Sequence, residues 1–93
     1  MTPIQEFYAL HTDFANALRR AKQGMRRGFK DEDVKPLRER QPGYAAVVPK
    51  LEARVADGSA ALEERTAAEL GRRLIGEAED VLGEYNAARA SAQ

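Results

Sequence analysis

The densest group of charged side chains is a run of six bases with no acid among them. Its members are Arg19, Arg20, Lys22, Arg26, Arg27 and Lys30. Arginine and lysine at one end of a helix can contact phosphates and release counterions from nucleic acid. The same charges also suit the last turns of a helix, where cations offset the helix dipole. We favour the dipole interpretation and keep candidate phosphate contacts as the alternative.

An acidic flank lies in the last third of the chain, formed by Glu69, Glu77, Asp80 and Glu84. Glu77-x-x-Asp80, with Glu84 one turn further, could coordinate Mg²⁺, but such a site also needs a second carboxylate pair on a neighbouring helix. The first helical segment offers only two separated acids. We therefore expect no metal and no cofactor. The acidic flank is instead expected to meet the basic end of the first helix and to set register there.

His11 is the only histidine of the chain. No serine, cysteine or second histidine stands at a local spacing that would form a catalytic triad or a metal site with it, so we expect no catalytic residue and no enzyme activity. A polar residue in an apolar seam commonly hydrogen-bonds inside a bundle and sets its register. Histidine can also titrate near neutral pH. We predict a structural or pH-sensing position in the seam.

The elements that position these groups are predicted to be helices. The first apolar seam repeats at spacings of three and four through Ile4, Phe7, His11, Phe14, Leu18, Ala21 and Met25, which indicates a helix over about 3–27. A Thr2-x-x-Gln5 capping box and Pro3 mark its start. Pro42-Gly43 and Gly58 predict two breaks.

These signals predict an all-α fold. We expect a small antiparallel bundle of three main helices, about 3–27, 44–57 and 60–90, plus one short helix at about 33–41. A single domain over 1–93 with a flexible tail at about 91–93 is expected.

A row of mostly small residues runs along the last predicted helix, on the side away from its apolar stripe. Its members are Ala61, Ala68, Arg72, Gly76, Gly83 and Ala90. An exposed glycine costs a helix about 1 kcal/mol relative to alanine. Because small residues let another backbone approach closely, this row is the candidate interface for a protein partner or a second copy.

Composition narrows the function classes. Fifteen bases balance fifteen acids and there is no cysteine, so neither a general attraction to polyanions nor a thiolate metal site is expected. No apolar run approaches the roughly 20 residues of a membrane span, and no signal peptide is expected. We predict a cytoplasmic, bacterial or phage protein–protein interaction or structural-assembly module that forms homo-oligomers. The alternative is a nucleic-acid-binding accessory protein that uses the basic end of the first helix.

Overall fold

The computed structural model describes residues 1–91, which form three helices: α1 (Pro3–Arg26), α2 (Asp31–Ala56) and α3 (Leu62–Ser91). No strand occurs within 1–91, so the prediction of an all-helical chain with three main helices is confirmed. Contacts between the helices show that α2 runs antiparallel to α1 and α3. Apart from Ser91, the tail predicted at about 91–93 lies outside the described residues.

Helix α1 begins and ends as its sequence predicts. The Thr2 hydroxyl accepts a hydrogen bond from the Gln5 backbone N–H at 3.3 Å, and the Gln5 side chain accepts one from the Thr2 N–H at 2.9 Å. Gly28 adopts a φ of 95°, a left-handed conformation that glycine tolerates without steric cost. The chain therefore turns after Arg26 and enters α2 within a few residues.

Helix α2 differs from the prediction, because the short helix at about 33–41 is not a separate element. One helix runs from Asp31 to Ala56 and includes Pro36, Pro42 and Pro49. Each proline removes a backbone hydrogen bond and disfavours a helix interior. The apolar residues on both sides of Pro42-Gly43, among them Leu37 and Tyr44, are nevertheless buried in the same core. Tertiary packing along one continuous stripe therefore outweighs the local break signal.

The core lies where α2 packs between the other two helices. The Tyr44 ring stacks on Phe14 with 4.0 Å between ring centroids. On the other side, a Cβ added to Gly71 would lie only 2.6 Å from Cγ2 of Val48, so α3 approaches α2 closely there. Helices α1 and α3 contact each other much less than either contacts α2. An open groove therefore runs between α1 and α3 along a molecule of 49 × 20 × 17 Å.

Candidate functional site

The N-terminal half of the groove between α1 and α3, here called the apolar groove, combines a cavity with large exposed apolar side chains. It holds a cavity of about 400 Å³ lined by Phe7, Tyr8, His11, Leu62, Glu63, Thr66, Ala67 and Leu70. Two large side chains at its rim stay in solvent: Leu62 is 77% exposed and Tyr8 is 52% exposed. Exposed apolar groups gathered beside a cavity are typical of an interaction surface rather than of scattered surface residues.

Two polar contacts cross the groove and set its register. The Tyr8 hydroxyl donates a 2.6 Å hydrogen bond to a Glu63 carboxylate oxygen, and Lys22 forms an ion pair with Glu77. The hydrogen bond to Glu63, together with burial and the nearby negative charge, raises the pKa of Tyr8 above its usual value. Each contact joins residues 55 positions apart, which shows that α1 and α3 run in parallel without a shift between the two contacts.

His11 lies half-buried at the floor of the apolar groove. Its Nδ1 is 3.0 Å from the Tyr44 hydroxyl, and its ring stacks on Phe7 with 5.0 Å between centroids. Burial raises the pKa of Tyr44 to about 12, so this hydroxyl keeps its proton near neutral pH. His11, the one polar residue of the seam, therefore forms a hydrogen bond inside the bundle. No nucleophile or metal-ligating partner contacts His11 within residues 1–91.

The six bases singled out from the sequence separate into two groups. Lys22 pairs with Glu77 of α3, and Arg20 approaches Asp33 of α2 with 3.6 Å between Nε and Oδ1. The other four are exposed and make no ion pair among the described residues: Arg19, Arg26, Arg27 and Lys30. The expected meeting of the basic end of α1 with the acidic flank of α3 occurs at Lys22.

Three members of the acidic flank line the C-terminal half of the groove between α1 and α3, whereas Glu69 lies on the opposite side, between α2 and α3. Glu77, Asp80 and Glu84 surround a cavity of about 150 Å³ together with Lys22 and Met25. Glu77 is shared between Lys22 and Arg73, whose Nε lies 3.6 Å from the carboxylate. In the part of the chain that the structure describes, no group of three acids or histidines is placed to hold a metal ion.

The row of small residues on α3 is divided by the fold. Ala68 is only 5% exposed because it packs inside the fold, and Arg72 donates two hydrogen bonds to the Glu52 carboxylate of α2, at 3.0 and 2.6 Å. These bonds lower the pKa of Glu52. Placing Ala68 on a partner surface was therefore wrong. Nothing lies within 4 Å of a Cβ added at Gly76 or Gly83, and Ala61 and Ala90 are exposed.

Three residues of α1 and α3 were not among the candidates named from the sequence. Ile75 is buried in the core, while Leu62 and Tyr8 form the exposed rim of the apolar groove. The spacing held a signal for Ile75, because it stands four residues after Gly71 and three before Ala78, both of which are buried. No comparable signal marked Leu62, because its exposure is a property of the packed fold rather than of local spacing.

A second cavity, of about 500 Å³, lies on the opposite flank, between α2 and α3. It is lined by Glu52, Val55, Arg65, Ala68, Glu69, Arg72 and Arg73. Its rim is charged on both helices, and the Arg72–Glu52 pair already bridges it. The apolar groove is thus the flank with the larger exposed apolar side chains.

Comparison of the chain with protein-family models, with curated proteins and with solved structures returned no match. None of the helices in residues 1–91 combines the length and the apolar character that a membrane crossing requires.

Proposed function

We propose that this chain is a helical protein–protein interaction module for structural assembly, which associates with copies of itself through the apolar groove. The observation that carries the proposal is the exposure of Leu62 at the rim of the groove. Burying a leucine side chain that was fully in water contributes about 1.5–3 kcal/mol. No catalytic role is part of the proposal, and we place the module in the cytoplasm of a bacterium or in a phage setting, on its alanine- and arginine-rich composition.

Self-association is favoured over binding of an unrelated partner by the arrangement of the rim. Leu62 projects beside a cavity on the same surface, and a twofold interface requires a surface that is complementary to itself. The single copy exposes 5826 Å² of surface in all. A standard interface takes about 800 Å² from each partner, which is about a seventh of that surface.

The test replaces Leu62 with serine and measures the mass in solution by sedimentation equilibrium. We expect Leu62→Ser to weaken self-association about tenfold or more, because the burial it removes is worth at least 1.4 kcal/mol. At concentrations where both chains are monomeric, the melting temperature should change little, since Leu62 is 77% exposed in the single copy. Leu10→Ser is the control on another surface, since Leu10 lies on the α2 side near Gly43. Because Leu10 is only 37% exposed, this variant should lower the melting temperature and leave the mass unchanged. Equal effects of both variants on mass would contradict the proposed surface.

A second candidate function, nucleic-acid binding, is favoured by a separate observation. Arg19, Arg26, Arg27 and Lys30 remain exposed without an ion pair in residues 1–91. This function predicts that affinity for DNA or RNA falls steeply between about 50 mM and 200 mM salt. It also predicts loss of binding in Arg27→Glu/Lys30→Glu, whereas Leu62→Ser should have no effect. Mobility-shift assays with single- and double-stranded probes would separate the two functions.

A further inference from the structure

We propose that two copies pair in parallel, so that α1 of each copy lies on α3 of the other, with the twofold axis along the groove. This inference rests on the proposed self-association and adds the partner's orientation and the charges that select it.

The register shows that the groove has two chemically different ends. Tyr8 is level with Glu63, and Lys22 is level with Glu77. The first level carries the exposed apolar groups Tyr8 and Leu62. The second level, about 20 Å further along at 1.5 Å per residue, carries charged groups on both helices.

The charges at the second level are separated by sign. A basic edge on α1 consists of Arg19, Lys22 and Arg26, which share one face at spacings of three and four. An acidic edge on α3 consists of Glu77, Asp80 and Glu84, which share a face in the same way. Within one copy only Lys22 and Glu77 join the two edges. Among residues 1–91, Arg26, Asp80 and Glu84 are exposed and make no ion pair.

Rotation by 180° about an axis parallel to the groove places α1 of one copy opposite α3 of the other. Each residue keeps its height along the groove. The basic edge of each copy then faces the acidic edge of the other, and this pairing occurs twice. At the same time Tyr8 of each copy comes to the level of Leu62 in the other. Oppositely charged surfaces that face each other favour one orientation, while the apolar contact supplies most of the affinity.

In the antiparallel alternative, the apolar end of the groove in one copy meets the charged end of the groove in the other. It would place Asp80 and Glu84 of one copy over the apolar level of the other, where Leu62 lies. Those carboxylates would lose water without gaining a cation, which is costly. Proteins commonly disfavour a wrong complex in this way, by leaving a charged group unpaired in it.

The test uses two charge-reversal variants that should fail alone and succeed together. The α1 variant is Arg19→Glu/Arg26→Glu, and the α3 variant is Asp80→Lys/Glu84→Lys. Each alone sets like charges against each other in the parallel dimer, so we expect at least a tenfold weaker association. An equimolar mixture should regain a heterodimer with an affinity near that of the native chain. Arg27→Glu/Lys30→Glu changes the net charge as much as the α1 variant but lies off the basic edge, and it should dimerise like the native chain.

The outcomes separate this inference from the proposed function. A native chain that remains a monomer at every concentration overturns the proposed function and this inference together. A native dimer whose variants each dimerise normally, or whose mixture does not recover, overturns the parallel pairing and leaves self-association standing.

A second measurement covers the case in which a charge variant does not fold, as judged by circular dichroism. The chain has no cysteine, so Ala87→Cys near the C-terminal end of α3 carries a single spin label. Parallel copies bring the two labels to the same end of the dimer. Antiparallel copies, with Asp80 and Glu84 over the level of Leu62, separate them by about 45 Å along the axis, at 1.5 Å per residue. A label distance below that value supports the parallel pairing, and a distance of that value or more overturns it.

Discussion

Gly24 of α1 lies directly against Asp33 of α2, so that a Cβ added at Gly24 would be 2.6 Å from the Asp33 Cβ. Asp33 is itself buried, at 8% exposure, and lies 3.6 Å from the Arg20 guanidinium. The Gly24 carbonyl also accepts a 2.8 Å hydrogen bond from the Phe29 N–H. The glycine that weakens the end of α1 by its helix propensity is therefore required by the close approach of the two helices.

We predict that Gly24→Ala destabilises the fold by about 1–3 kcal/mol, because the added methyl group would force the buried Asp33 to move. Alanine's better helix propensity offsets about 1 kcal/mol of the strain. Urea denaturation followed by circular dichroism measures the difference. Gly83→Ala is the matched control, because nothing lies within 4 Å of its added Cβ, and it should stabilise by about 1 kcal/mol. A stabilising Gly24→Ala would contradict the packing.

The double variant Gly76→Ala/Gly83→Ala distinguishes the two candidate partner surfaces. Both positions are open in the single copy, so the unfolding free energy should rise by about 2 kcal/mol in total. If copies meet through the apolar groove, the mass in solution should not change. Loss of the dimer, measured by light scattering, would instead favour the row of small residues predicted from the sequence.

Tyr44 should make stability fall at alkaline pH. Its pKa is raised by burial from 10.0 in water to about 12 in the fold. Above pH 10 the unfolded chain loses the Tyr44 proton while the folded chain keeps it, so the stabilising contribution is full below pH 10 and is lost towards pH 12. Denaturation at a series of pH values should show this decline. In Tyr44→Phe the decline should be smaller, and an equal decline would assign it to other groups.

The ion pair between Arg54 and Glu64 should make stability fall at acid pH. Hydrogen bonds from Arg54 and from the Ala61 N–H lower the pKa of Glu64 below 4.5. The Glu64 carboxylate therefore stabilises the fold above pH 4.5, and this contribution is lost as the pH falls through the lowered pKa. Thermal melts between neutral and acid pH should show a smaller decline for Glu64→Gln than for the native chain. Glu32→Gln, at an exposed position without an ion pair in residues 1–91, is the control.

Local signals predicted α1 well because its limits depend on nearby residues. Thr2 and Gln5 cap the helix, and Gly28 allows the left-handed turn after it. The same type of local reasoning failed at Pro42-Gly43, where α2 continues because Leu37 and Tyr44 share one buried stripe with the neighbouring helices. To predict a stripe that packs against two helices, the positions of both helices must be known. Helix propensity alone does not give these positions.

The candidate site was predictable in its chemistry but not in its position. The pairing of basic and acidic flanks at Lys22 and Glu77 followed from charge and helix direction. The position of Leu62 beside the cavity depends on how the three helices pack. Gly71 of α3, for example, lies against both Val48 of α2 and Phe7 of α1. Contact distances between helices of this kind have no counterpart in the spacing of residues within one helix.

The most direct test of self-association is the mass of the native chain in solution, measured by light scattering after gel filtration between about 1 μM and 1 mM. Interfaces of about 800 Å² per partner have dissociation constants of about 1 μM or tighter. We therefore expect a mass already above 10.3 kDa at about 1 μM and a mass of twice 10.3 kDa at the highest concentration. A mass that stays at 10.3 kDa over the whole range would contradict the proposed function.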